Sequence, residues 1–159
     1  VDEITGGLEK FAAIGDTIGL SFEYAASALA TITSNTRQSE EVVGTALKTI
    51  FARIQGLKLG ETQEDGTNLN KYSEALAKVG ISIFEANGEL KAMDNILDEM
   101  AAKWDELTKA EQAALAQTVA GIRQYTQLIA LMENWNNGDN DSMMANLNTS
   151  YGSTGALQE

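Results

Sequence analysis

The chain has 159 residues, of which 43% are hydrophobic and 21% are charged, a normal balance for one globular domain with a sizeable core. The net charge is −12, and the densest basic group (Lys48, Arg53 and Lys58) lies along one predicted helix, so nucleic-acid or anionic-membrane binding is not expected. The absence of Cys and His excludes disulfides, the usual zinc sites and histidine-containing catalytic triads. No apolar run approaches the roughly 20 residues of a membrane span.

The first third of the chain is predicted to be helical, because it lacks Pro and is rich in Ala. One helix is predicted over Val1–Ile18. Ser21 is predicted to cap a second helix and Ser39 a third, since a serine side chain can accept a hydrogen bond from the first turn. An apolar stripe recurs at helical spacing along the third helix: Val43, Ala46, Leu47, Ile50, Phe51, Ile54 and Leu57.

Two stretches rich in Gly, Asn and acidic residues are predicted to be loops: 56–70 ("GLKLGETQEDGTNLN") and 136–142 ("NNGDNDS"). A calcium-binding EF-hand loop needs Gly at its sixth position and Glu at its twelfth. When the glycine of each loop is placed sixth, the twelfth residue is Tyr72 in the first loop and Met144 in the second. Both loops are therefore interpreted as solvated turns, and neither a metal nor a cofactor is expected.

A short β-hairpin is predicted near residues 81–92. A helix over Lys71–Lys78 is expected to end at Gly80. Beyond it the apolar residues alternate instead of recurring at helical spacing: Ile81, Ile83 and Leu90. They flank Asn87 and Gly88, and Asn-Gly between short β-prone runs is typical of a two-residue hairpin turn.

The rest of the chain is predicted to be helical, in four segments. These are a helix capped by Asp94, one opened by a Thr108–Glu111 capping box and running to Val119, the most buried helix over Ile122–Asn134, and a short one over Met143–Leu147. The predicted fold class is therefore mainly α: one compact domain over residues 1–159, with about six or seven helices and the hairpin. A subdivision at the loop 56–70 is an alternative. Because the chain starts at Val1 and has no terminal signal, it is interpreted as a fragment of a longer protein.

Arg53 and Arg123 stand out because each lies on an otherwise apolar helix, in "TIFARIQ" and "AGIRQYTQ". One interpretation places each arginine stem at the edge of the core, with its guanidinium paired to an acid. The other places both arginines, with Tyr125, at a partner interface, where Arg and Tyr are enriched. Both interpretations are open at this point.

No catalytic residue is predicted. Glycoside hydrolysis needs two acids that flank a cleft. The acidic residues here lie in a predicted loop or on a polar helix face, as is normal for solvated surfaces: Glu61, Glu64, Asp65, Asp98 and Glu99. The chain is therefore expected not to be an enzyme.

Several long blocks resemble the core region of phage tail tape-measure proteins, the large minor tail proteins of long-tailed phages and prophages. The resemblance begins at "GTALKTIFARIQGLKLGE" (44–61) and continues through "LNKYSEALAKVGISIFEANGELKAMDNILDEMAAKW" (69–104) and "ALAQTVAGIRQYTQLIALMENW" (114–135). Residues 21–54 and 146–159 are also similar, so nearly the whole chain is covered. The stretch "NNGDNDSMM" (136–144) departs from the family pattern.

This resemblance implies a structural role in the virion. Tape-measure proteins occupy the lumen of the tail tube while tube protein polymerises around them, and their length sets the tail length. The implied partners are the tail tube protein, tail-assembly chaperones and baseplate or distal tail proteins, with self-association also open. The protein would be made in the bacterial host cytoplasm and would leave the tube around DNA ejection.

Two alternatives to this role are a peptidoglycan-cleaving module of the same tail protein and a generic helical interaction domain.

Overall fold

The structure is a computed structural model that describes the backbone of residues 12–149 and the side chains of residues 14–149. Its mainly helical class confirms the prediction. The helices are α1 (Ala12–Ile18), α2 (Phe22–Thr36), α3 (Glu40–Lys58), α4 (Leu69–Lys78), α5 (Met93–Trp104), α6 (Lys109–Ala120), α7 (Tyr125–Glu133) and α8 (143–149). Residues 1–11 of the predicted helix Val1–Ile18 lie outside the described residues. None of the helices that are described is long and apolar enough to cross a bilayer.

α3 lies at the centre of the core. It contacts α1, α2, α4, α6 and α7. Every member of its predicted apolar stripe is at most 5% exposed. Burying one large apolar side chain contributes about 1.5–3 kcal/mol, so this helix face is a main source of stability. A single core cluster joins residues from both sides of the loop that follows α3.

Three of the predicted helix caps are confirmed. The side chains of Ser21 and Ser39 each accept a hydrogen bond from the backbone N–H three residues further on, at 3.2 Å. In the capping box, the Thr108 hydroxyl accepts from the Glu111 N–H at 3.1 Å, and the Glu111 carboxylate accepts from the Thr108 N–H at 2.8 Å. These contacts satisfy donors at helix N-termini that have no partner inside the helix.

The prediction that Asp94 caps α5 is wrong. The N-cap residue is Ala92, and no side chain caps this helix end. The Asp94 Oδ1 atom instead accepts a hydrogen bond from the Ser21 N–H at 3.0 Å, and the Asp94 N–H donates to the Gly19 carbonyl at 3.2 Å. Burial raises the pKa of the Asp94 carboxyl above its ordinary value. Asp94 therefore ties the start of α5 to the junction between α1 and α2.

The predicted β-hairpin near residues 81–92 is also wrong. The described residues contain no strand there, only one isolated antiparallel bridge between Phe84 and Leu90. The Lys91 N–H donates to the Ile83 carbonyl at 2.8 Å. The segment is therefore a turn closed by a single bridge.

The residues beside the bridge are not helical, but the backbone on one side is bonded to α4 and the other side leads directly into α5. The Ile81 N–H donates to the Leu76 carbonyl of α4 at 2.9 Å, and α5 begins at Met93. Ile81 and Ile83 are each 1% exposed, as the alternating pattern predicted. Burial of these two side chains therefore holds the segment in place.

The predicted helix Ile122–Asn134 begins three residues later than expected, at Tyr125. Gly121 has φ 89° and ψ 157°, a backbone conformation that is essentially restricted to glycine. The helical path is broken at this residue, and residues 122–124 form a turn. Ile122, which was expected in the core, is 68% exposed.

Gly19 allows the α1–α2 junction to approach α5 closely. Its φ is +76°, and a Cβ atom added there would lie 2.6 Å from the Cα atom of Ala92. Backbone at that distance cannot be displaced without moving a helix end. Both the conformation and the space at this position therefore require glycine.

We expect Gly19→Ala to lower the free energy of unfolding by at least about 2 kcal/mol, because it adds overpacking to the cost of a positive φ. Gly60→Ala is the matched control, since Gly60 has φ +89° and no atom within 4 Å of an added Cβ. Urea unfolding followed by circular dichroism measures both variants. Equal destabilisation by the two substitutions would contradict the close approach at Gly19.

Candidate functional site

A groove of about 580 Å³ lies between α3 and the α6–α7 junction. On the α3 side the groove is lined by Arg53 and by one exposed helix face, which consists of Thr45, Lys48, Thr49 and Ala52. The opposite side is formed by residues 120–124, and residues 63–65 of the loop after α3 complete the lining. We call this surface the α3 groove.

Arg53 connects the three elements that line the α3 groove. Its Nε and Nη2 atoms donate to the carbonyl of Thr118 in α6 at 3.2 and 3.0 Å, and Nη2 also donates to Oδ2 of Asp65 at 3.0 Å. The Thr118 carbonyl belongs to the last turn of α6, where carbonyls lack helical partners and a cation is favoured. Arg53, 10% exposed, therefore stabilises the fold at the core edge. A partner contact by Arg53 stays a prediction.

Asp65 is fixed by hydrogen bonds inside the loop as well as by Arg53. Its Oδ1 atom accepts from the Thr67 N–H at 3.0 Å. Burial alone would raise the pKa of Asp65, but the hydrogen bonds from Thr67 and the Arg53 guanidinium outweigh it and lower the pKa below its ordinary value. The charged form of Asp65 is thus favoured in the folded state.

The α3 groove carries positive charge in an otherwise acidic chain. Its lining has three cations (Lys48, Arg53 and Arg123) and two carboxylates (Glu64 and Asp65), a net charge of +1 against −12 for the whole chain. Arg53 and Asp65 neutralise each other. Lys48 and Arg123 are exposed and form no ion pair with any described residue. These two side chains are therefore available to an acidic ligand.

The structure brings two of the sequence-predicted site residues together. Arg53 and Arg123 both line the α3 groove, whereas Tyr125 begins α7 and packs, partly buried, against the core. Asn87 and Gly88 lie in the turn of the bridged segment and do not line the groove. The Asn87 Oδ1 atom accepts from the N–H two residues further on at 3.0 Å, and Gly88 has φ +87°.

Sequence reasoning missed two residues of the groove, Lys48 and Ile122. Lys48 was considered only as a member of the densest basic group, and its position in the same groove as Arg123 depends on how α3 packs against the α6–α7 junction. Ile122 was placed in the predicted helix Ile122–Asn134, which was expected to be the most buried. The available signal was Gly121, which directly precedes it.

A second cavity, of about 240 Å³, lies beside the α1–α2 junction and is lined by residues of α3, α4 and α5. Tyr72 lines it and is 2% exposed, and its hydroxyl has no hydrogen-bond partner among the described residues. Burial raises the pKa of the Tyr72 hydroxyl. Nowhere in residues 14–149 do three or more carboxylates come together as a metal site would require.

We expect Asp65→Asn to reduce stability at pH 7 by about 0.5–1 kcal/mol, since the Asp65 side chain is 38% exposed and solvent screens the pair. A carboxyl whose pKa is lowered by folding adds stability above its unfolded pKa and loses it as the pH falls through the folded pKa. The difference between wild type and Asp65→Asn should therefore shrink below pH 4.

Urea midpoints measured from pH 7 to pH 3 test this. Glu64→Gln, which removes an exposed charge that has no ion pair among the described residues, is the control and should show little effect. A difference that stays constant with pH would contradict the role of the charged Asp65.

No solved structure matches the chain at a significant level. The family of phage-related minor tail proteins matches residues 1–121, a stretch that includes α1 to α6 and the α3 side of the groove. This match covers well over half of the sequence and agrees with the family resemblance of its long blocks. The chain therefore belongs to the family of phage-related minor tail proteins.

Proposed function

We propose that this chain is a segment of a tape-measure protein, which sets phage tail length and acts as the scaffold for tail-tube assembly. The observation that carries the proposal is the family match over residues 1–121. It is supported by the sequence blocks that resemble the tape-measure core and extend to residue 135. The helical fold also suits a ruler, since an α-helix has a constant rise of about 1.5 Å per residue.

The proposed location is the lumen of the tail tube in the virion, after synthesis in the bacterial host cytoplasm. The proposed partners are the tail tube protein, the tail-assembly chaperones and the baseplate or distal tail proteins. The acidity of the chain fits this location, because a protein with net charge −12 that shares a path with DNA is repelled by the duplex. The role would be structural and not enzymatic.

The size of the compact fold raises a physical question for this location. A domain of this length has a radius of gyration of about 15 Å and hence a diameter of about 40 Å. That is a tight fit in a tube that conducts a DNA duplex. We therefore propose that the fold either sits at one end of the tube or opens into extended helices inside it.

Glycines at the helix ends would permit such opening through backbone changes at few residues. Gly19, Gly60, Gly80 and Gly121 follow helix ends and have positive φ. Glycine reaches the right-handed helical region about as easily as the left-handed one, so a few dihedral changes would remove the breaks at the short junctions 19–21 and 121–124. The chain also contains no Pro that would stop a merged helix.

An in-frame deletion of residues 1–159 from the full-length gene tests the proposal, with tail lengths measured by electron microscopy. If the segment is extended in the tail, tails should shorten by roughly 240 Å, the helical rise of about 1.5 Å summed over the segment. A tandem duplication of the same residues is the matched control. It should lengthen tails by the same amount.

The other outcomes are equally informative. Loss of tails would identify an assembly domain at one end of the tube, where the fold matters more than its length. Normal tails of unchanged length would contradict the tape-measure role of this segment. Hydrolysis of purified peptidoglycan by the isolated protein would contradict the non-enzymatic role.

A further inference from the structure

We propose that the α3 groove is a docking surface for an acidic segment of a different protein chain. The segment places a large apolar side chain against Ile122 and its carboxylates beside Lys48 and Arg123. This inference goes beyond length determination, and it depends only on the groove and its charges.

The charge of the groove selects an acidic ligand despite the acidity of the chain as a whole. Lys48 and Arg123 are exposed and unpaired with any described residue, while the Arg53–Asp65 pair is internally neutral. At physiological ionic strength the Debye length is about 8 Å, so a ligand inside the groove responds mainly to the charges that line it. The carboxylate of Glu64, the remaining acid, is outnumbered by the two cations.

Ile122 supplies the apolar contact. It is 68% exposed, although isoleucine is among the residues most often buried in folded proteins. The restricted backbone of Gly121 displays it, because the chain leaves the helical path there and turns outward before α7 begins. Ile122 directly precedes Arg123, which forms no ion pair with any described residue. Apolar area and arginine are both enriched at the centres of protein interfaces.

The floor of the groove suits close approach by another backbone. Its α3 side carries short side chains at Thr45, Thr49 and Ala52, and Gly121 lies opposite. Residues 45–52 span about two helical turns, or roughly 10 Å, so the groove can accept a short helix or extended segment. Arg53 already joins α3, the loop and α6, so little reorganisation is needed when the partner binds.

The occupant is assigned to a different chain because a second copy would bring its own net charge of −12. Contact between two such chains brings many like charges within a Debye length of each other, which disfavours the pair. An acidic segment carried by a less negative protein avoids that repulsion and gains the local contacts.

A photo-crosslinking amino acid placed at position 122 of the full-length protein tests the proposal, in cells that express all the tail genes. Adducts are identified by mass spectrometry of the joined peptides. The same amino acid at Leu59, 66% exposed and outside the groove, is the control. We expect position 122, and not position 59, to join a peptide of another protein that has net negative charge and a large apolar residue.

Charge reversal then tests the electrostatic part. Lys48→Glu with Arg123→Glu should lower the yield of the position-122 adduct about fivefold or more, since two exposed ion pairs are replaced by repulsion. Arg37→Glu with Lys78→Glu changes the net charge equally at exposed positions outside the groove and should leave the yield within about twofold.

Three results would overturn the proposal: an adduct with a second copy of this chain, an adduct no stronger than that from position 59, or a yield that charge reversal in the groove does not change. These results are independent of tail length. A failed tape-measure proposal and a failed docking proposal are therefore distinguishable.

Discussion

The apolar face of α3 is almost completely removed from water, and five other helices are arranged around it. A helix that buries a continuous stripe over its whole length gives each neighbour an apolar surface to pack against. The same helix leaves its opposite face uncovered, at Thr45, Lys48 and Thr49, and this face is one side of the α3 groove. The core and the candidate site are therefore two sides of one element, and the packing of α3 fixes the position of both.

Arg53 connects these two sides of α3. Its side chain lies at the edge of the core. Its guanidinium donates hydrogen bonds to the Thr118 carbonyl, in the last turn of α6, and to the Asp65 carboxylate in the loop. One partly buried charge thereby satisfies a helix end, neutralises an acid and holds the groove lining together. Because this pair is internally neutral, the local charge of the groove is left to Lys48 and Arg123. A chain with strong overall acidity can in this way present a small surface of the opposite sign.

The sequence by itself determined the helical class, the caps at Ser21, Ser39 and Thr108, and the buried stripe of α3. These features depend on residues within a few positions of each other, where side-chain geometry and helical periodicity decide the outcome. The family was also readable, because long blocks of residues retain their order. The loop 56–70 was placed correctly except at its ends, since α3 continues to Lys58 and α4 begins at Leu69.

Only the tertiary structure decided the features that join distant parts of the chain. Asp94 looked like a local cap, but its carboxylate bonds to Ser21, 73 residues away. The hairpin expected at Asn87-Gly88 is reduced to one bridge, and it lies between an Ile81 N–H that bonds to α4 and the start of α5 at Met93. No local rule places Lys48 of α3 in the same groove as Arg123 of the α6–α7 junction. Capping and helical periodicity act over a few residues and therefore determined the helices. The groove depends on packing between residues that are far apart in the sequence, which these rules do not describe.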